Sequence, residues 1–193
     1  LVDAREGHFR FESGFHSGRW LELDPLFVRP SRVRPFVDAL SSRLAKHGVQ
    51  AVCGPLVGGA FVAQMVAEAM GADAFYAERA AAPDDGGTAL FRARYQLPRA
   101  LRARAGGLRV AVVDDVVSAG SSVRATCAAL ESCGARPVVV GALLLMGDEA
   151  TTFFGERGIP VEAVARTGIS MWPPAECPLC AAGVPLEDPT SGH

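Results

Sequence analysis

The segment from residue 108 to 134, LRVAVVDDVVSAGSSVRATCAALESCG, constrains the fold of this chain more than any other. Val110-Ala111-Val112-Val113 is a β-branched apolar run without polar alternation, the pattern of a strand covered on both faces. Asp114 and Asp115 stand where that strand should end, and a turn of small residues follows, Ser118-Ala119-Gly120-Ser121-Ser122. Val123, Cys127 and Leu130 then recur at helical spacing, and Gly134 supplies a stop. Strand, acid pair, small loop and helix in this order specify an open α/β sheet that holds a ligand at the carboxyl end of its strands. The loop's N–H groups and hydroxyls, with the helix N-terminus, suit an anion such as phosphate. Two acids beside a phosphate then need a task of their own, such as gripping sugar hydroxyls or a cation. The bland alternative is a buried strand with a solvated acidic end and an ordinary serine cap.

The remaining periodicities supply the rest of such a sheet. Residues 31–48 predict a helix with Phe36, Leu40 and Leu44 on one stripe. Residues 49–53 form a short apolar strand that enters Gly54-Pro55-Leu56-Val57-Gly58-Gly59, then a helix carrying Phe61, Met65 and Ala69 and closed by Gly71. A glycine-rich strand-to-helix turn lets backbone amides approach an anion, although a tight packing turn has the same composition. Residues 74–79 predict a strand, 80–87 a mobile loop, and 89–97 a returning strand with Arg92 and Arg94 on one face. The apolar run 137–146 predicts a central strand ending at Gly147-Asp148-Glu149, and 161–164 a last short strand. Residues 7–24 mix aromatic, polar and small residues in the manner of short strands and turns.

Composition narrows the function. With 193 residues, a formal charge of −2 and mixed signs, the chain suits one domain and not a general binder of nucleic acid or membrane surfaces. No stretch reaches the roughly 18 apolar residues of a spanning helix, and residues 1–11 lack an apolar signal core, so the expected location is cytoplasmic. Five scattered cysteines fit reduced thiols better than a disulfide framework. Cys177-x-x-Cys180, in the proline-rich stretch 172–186, is half of a zinc site. Zinc takes about four ligands, and no second pair stands nearby in the sequence. The expectation is therefore two structural thiols and no metal. His16 reads as a surface or hydrogen-bonded histidine and not a catalytic one.

The acid pair and its loop resemble the signature by which type I phosphoribosyltransferases bind 5-phosphoribosyl 1-pyrophosphate (PRPP). The resemblance implies an α/β fold, a central mostly parallel sheet flanked by helices (Rossmann-like), with an N-terminal hood over about 1–30, a core over 31–168 and an irregular tail over 169–193. It implies that Asp114 and Asp115 take the ribose hydroxyls and that Ser118, Ala119, Gly120, Ser121 and Ser122 wrap the 5-phosphate. Gly54, Pro55, Leu56, Val57, Gly58 and Gly59, with Arg79, Arg92 and Arg94, would receive pyrophosphate. Mg2+ is the implied cofactor.

Within that family the chain is most similar to bacterial orotate phosphoribosyltransferases, from Gly7 to Leu186. Gly7, Phe9, Ser13, Gly14, Ser17 and Trp20 match the hood, residues 77–79 and 90–95 match one branch around the catalytic loop, and the tail matches as well. This implies that Phe9, Ser13, Gly14 and Trp20 shape the base pocket with Asp148 beside it. It also implies a homodimer whose loop closes over the reacting centre, often from the neighbouring subunit. The chain departs from the pattern in two respects. Lys46 is its one lysine, so Glu12 and Gly58 stand where the family carries lysines, and the loop offers only arginines. Leu145-Met146-Gly147-Asp148 also lacks the arginine that meets the carboxylate of orotate. The same scaffold with a purine or unusual base as acceptor, or a regulator that binds PRPP without turnover, are the alternatives.

Overall fold

The computed structural model describes residues 3–80 and 90–189. The chain begins with an antiparallel hairpin, β1 (Asp3–Arg10) and β2 (His16–Glu22), followed by a short helix α1 (Asp24–Phe27) and the longer α2 (Pro30–Leu44). Then β3 (Ala51–Pro55), α3 (Gly58–Met70), β4 (Asp73–Arg79), the two-residue β5 (Tyr95–Gln96) and α4 (Arg99–Ala105) follow. The motif read first from the sequence is β6 (Arg109–Val117) and α5 (Ser121–Ser132), and β7 (Arg136–Met146), α6 (Glu149–Glu156) and β8 (Val161–Thr167) complete the core. In space the strands lie in the order β5-β4-β3-β6-β7-β8, parallel except for β5. The chain moves outward from β3 to β4, then returns to β6 on the other side of β3. The carboxyl ends of β3 and β6 therefore flank the switch point where such sheets hold ligands.

Burial on both faces follows from the alternation of side chains along β6. Val110 and Val112 pack with Val123, Cys127 and Leu130 of α5 and Phe154 of α6. Ala111 and Val113 face the other way, onto α2 and α3. The same constraint corrects two of the expected helix stripes. On α2, Leu40 and Leu44 are buried as expected, but Val33 and Val37 complete the stripe and Phe36 is 41% exposed. On α3 the buried face is Val62, Ala63, Val66 and Ala67, whose small side chains let the helix lie close to the sheet. Phe61 is left half-exposed, where its ring packs against Phe27 of α1 at 5.5 Å between centroids.

The strand expected over 89–97 shrinks to β5, which pairs Glu78 with Gln96 and Arg79 with Tyr95. Before it, Phe91 adopts a left-handed φ of 58° and donates its N–H to the carbonyl of Ser13, drawing the chain from the sheet to the hairpin. Arg92 and Arg94 therefore share no strand face. Of the expected mobile loop, residues 81–87 lie outside the described residues. β6 runs past the acid pair to Val117, and α4 and α6 occupy stretches with no marked apolar stripe. The tail returns to the N-terminus. β9 (Met171–Trp172) pairs antiparallel with the start of β2, α7 (Pro178–Ala181) follows, and Glu187 bridges to Phe9. Among the described residues no helix is long and apolar enough to cross a membrane.

Candidate active site

A cleft of about 880 Å³ opens at the carboxyl ends of β3 and β6, with residues of the β1–β2 hairpin and α1 along its other walls. The acid pair forms its floor. Asp114 is 6% exposed; Ser122 Oγ donates to its Oδ2 at 2.8 Å, and the Asp115 N–H donates to its Oδ1 at 3.1 Å. The Val116 N–H donates to Asp115 Oδ1 at 2.8 Å. Burial pushes the Asp114 carboxyl well above the usual range and the adjacent Asp115 pushes it further. Burial also raises Asp115, with the backbone N–H of Val116 pulling the other way. A buried acid pair of this kind favours any neutralising partner, whether a proton, a cation or a hydroxyl that donates to it.

Two loops meet at the pair. Gly120 has φ of 83°, and a Cβ there would stand 3.1 Å from Ala150 Cβ, so glycine lets the chain turn directly from β6 into α5. Ser121 then opens α5, whose first N–H groups have no partner within the helix. From the other side, the 54–59 turn presses its backbone onto the carboxylates: a Cβ at Gly58 would lie 2.5 Å from Asp115 Oδ2, and one at Gly59 2.7 Å from Asp114 Oδ1. The Leu56–Val57 peptide in this turn is cis.

The side chains expected at the site divide into two groups. Ser13 and Trp20 of the hood, Pro55, Leu56, Val57 and Gly58 of the turn, and Arg79 line the cleft. So do Asp114, Asp115, Ser118, Gly120, Ser121 and Ser122. Gly54, Gly59 and Ala119 are buried and shape the loops from behind. Phe9 is fully buried inside the hood, and Phe11 lines the cleft in its stead. Gly14, Arg92, Arg94 and Asp148 are not part of the lining. Asp148 is exposed at the start of α6, while Met146, at the end of β7, is the residue that lines the cleft there.

Several lining residues escaped the sequence reading. Phe27, Phe61, Glu78 and Tyr95 come from four different elements, and only the alternation of Tyr95 with Arg92 and Arg94 gave a local signal. Glu12, known from the sequence only as a residue standing where the family carries a lysine, is the most consequential. Its carboxylate accepts from Tyr95 Oη at 3.0 Å and from Ser121 Oγ at 3.2 Å, and it lies 3.7 Å from Arg79 Nη1. Burial, then Glu12, pushes the Tyr95 phenol well above its usual range, so this tyrosine stays a donor. Arg79 is the only lysine or arginine among the described lining residues, against Glu12, Glu22, Asp24, Glu78 and the acid pair. A second arginine braces the site from behind. The Arg124 guanidinium lies between the rings of Phe91 and Phe153, 4.0 and 3.9 Å from their centroids.

The chain has relatives among known proteins. No family model matches the chain. The orotate phosphoribosyltransferase of Thermotoga maritima is 33% identical over 186 residues, 96% of this chain and 91% of that protein. That of Caldanaerobacter subterraneus subsp. tengcongensis is 31% identical over 191 residues, covering 99% and 92%. Among solved structures, orotate phosphoribosyltransferase from Aeropyrum pernix superposes with a TM-score of 0.64 at 24% identity, over 84% of this chain and 87% of that one. APRTase from Giardia lamblia complexed with 9-deazaadenine gives 0.67 at 15% identity, over 86% and 94%. The two structural likenesses establish the fold, a parallel sheet with flanking helices.

Proposed function

The chain belongs to the orotate phosphoribosyltransferase family, and on that premise we propose that it transfers the phosphoribosyl group of PRPP to orotate, giving orotidine 5'-monophosphate and pyrophosphate. The observation that carries this reading is the buried acid pair between two tight strand-to-helix turns at the switch point of the sheet. A ribose whose 2- and 3-hydroxyls donate to Asp114 and Asp115 has its 5-phosphate directed to the loop 118–122 and its pyrophosphate to the turn 54–59. Displacement at the anomeric carbon passes through an oxocarbenium-like state, so the residues act by placement and electrostatics. The apolar walls, Phe27, Phe61 and Val117, limit water around a donor that water would otherwise hydrolyse.

The acidic lining fits a hard divalent cation, which binds through oxygen ligands. When bound, Mg2+ supplies charge neutralisation at the pyrophosphate and ribose oxygens, with Asp114 and Asp115 as the residues of this chain that carry the metal-linked binding. One lining arginine does not balance a pyrophosphate by itself. That deficit supports both the cation and the homodimer in which a second chain adds to the site. The test is release of pyrophosphate from PRPP over a panel of bases, with orotidine 5'-monophosphate as the expected product. Absence of turnover with every base, in a protein that still binds PRPP, would overturn the reading in favour of a regulator.

Glu12 is expected to hold PRPP affinity down. Its carboxylate occupies a hydroxyl of the phosphate loop, and a negative charge a few ångströms from a phosphate is repulsive by roughly 1 kcal/mol once screened. Glu12→Gln keeps the acceptor for Tyr95 and removes the charge. Titration calorimetry should show PRPP bound about fivefold more tightly by the variant, and equal or weaker binding would contradict the assignment.

A second reading of the acceptor rests on the end of β7, where Met146 lines the cleft and no arginine follows. On that reading neutral or amino-bearing bases outperform orotate. Asp148→Arg then raises kcat/KM for orotate relative to the best neutral base, by about fivefold or less because an exposed charge is screened. Efficient turnover of orotate by the wild type, lowered by this substitution, excludes the second reading.

A further inference from the structure

We propose that His8, His16, Cys177 and Cys180 bind one zinc ion at the junction of the hood and the tail. The four side chains converge although only the two cysteines are joined by a sequence spacing. His8 lies on β1, His16 opens β2, Cys177 caps α7 and Cys180 lies within it. Their ligand atoms all lie within 4.8 Å of one another. His8 Nε2 faces His16 Nδ1 at 3.1 Å. Cys177 Sγ is 3.4 Å from His8 Nε2, and Cys180 Sγ is 3.3 Å from His16 Nδ1 and 3.7 Å from His8 Nε2. A tetrahedron built on Zn–S of about 2.3 Å and Zn–N of about 2.0–2.1 Å has edges of roughly 3.3 Å between nitrogens and 3.6 Å between nitrogen and sulfur. Four of the six edges of the cluster lie between 3.1 and 3.7 Å, and the other two are within 4.8 Å.

The tautomers point the same way. His8 Nδ1 lies 2.8 Å from the carbonyl oxygen of Val184, which can only accept. The proton of the neutral ring is therefore on Nδ1, and the lone pair of Nε2 is directed at the centre of the cluster. A backbone carbonyl orienting a metal-binding histidine through its second nitrogen is a recurrent support for such sites. Two thiolates with two imidazoles select zinc over Mg2+ or Ca2+, which take oxygen. His8, His16 and Cys177 are buried, while Cys180 is exposed and gives an ion its way in. This centre is separate from the Mg2+ chemistry of the cleft and does not depend on which base is the acceptor.

Its role is structural. The hairpin that carries His8 and His16 also carries Phe11, Ser13 and Trp20 into the cleft, and zinc would pin the tail across its back. Protein purified without added metal, then titrated with zinc under anaerobic conditions, should hold about one zinc per chain by elemental analysis. Zinc should protect two of the five cysteines from a thiol reagent. In Co2+ exchanged for it, thiolate-to-metal charge transfer and tetrahedral d–d bands should appear. Cys177→Ser and His16→Asn should each lower metal affinity at least about tenfold and lower the thermal midpoint to that of chelated wild type. If these variants do not fold, the stoichiometry, thiol protection and cobalt spectrum of the wild type decide the matter. Failure to take up zinc, Cys177 and Cys180 thiols that react as fast with zinc as without it, octahedral cobalt bands, or zinc retained in full by both variants would each overturn the proposal.

Discussion

Asp114→Asn combined with Asp115→Asn is expected to give a folded protein that binds PRPP at least about thirtyfold more weakly, a loss of about 2 kcal/mol or more from charged hydrogen bonds. Titration calorimetry in the presence of Mg2+ measures it, and unchanged affinity in the folded variant would end the assignment of the pair. Stability should move the opposite way. Both carboxyls are raised above the ordinary value near 3.8 in the folded state. A raised carboxyl contributes stability that is fully present below that ordinary value and is lost as pH rises through the folded one. At neutral pH the pair is therefore a burden on the unliganded fold, and asparagine removes the charge while keeping an acceptor for Ser122. The thermal midpoint of the double variant should equal or exceed that of the wild type at pH 7, and the difference should shrink as the pH approaches 4. A site that costs stability when empty and binds when filled is the usual compromise of a functional cluster.

Gly54→Ala should be nearly as damaging, by a different route. A Cβ at residue 54 would lie 1.9 Å from the carbonyl oxygen of Gly59, 2.2 Å from its carbon and 2.8 Å from the Ala60 nitrogen. All three are backbone atoms of the turn, so no rotation of a side chain relieves the overlap. The turn must shift, at a cost of about 3 kcal/mol or more, and it carries the proposed pyrophosphate contacts away from the acid pair. Urea unfolding should show the loss, and pyrophosphate binding should fall at least about tenfold, which is about 1.4 kcal/mol. Gly155→Ala, in α6 with open space around it, is the control and should leave pyrophosphate binding unchanged and stability equal or up to about 1 kcal/mol higher. A Gly54 variant that matches this control in both measurements would show that the turn does not need its close approach.

How far the sequence could be read depended on how local the signal was. From Val110 to Leu130 the elements are determined by neighbours within a few residues, and the loop and helix stripe stand where the spacing put them, with only the strand end moved, from the acid pair to Val117. On α2, the spacing allows both Phe36-Leu40-Leu44 and Val33-Val37-Leu40-Leu44, because the two stripes share their last members. The sheet beneath decided for the second. In the hood, β1 pairs with β2 through a register shift between Glu6 and Phe9. Phe11 lies past the end of β1, where alternation no longer assigns a face. The cysteine pair carried no hint of its neighbours, since His8 and Cys177 are 169 residues apart and meet only because the tail returns to the hood.

That return has a consequence for how the protein is made. The β1–β2 hairpin leaves the ribosome well before the strand that completes its sheet, Met171–Trp172, and before Glu187, the residue that bridges to Phe9. A lone two-stranded hairpin is marginal in water, so the hood wall of the cleft waits for its third strand while β3 to β8 are made. The order of translation thus separates the two walls of the cleft: the sheet that carries the acid pair and its loops is made before the strand that completes the hood across from it.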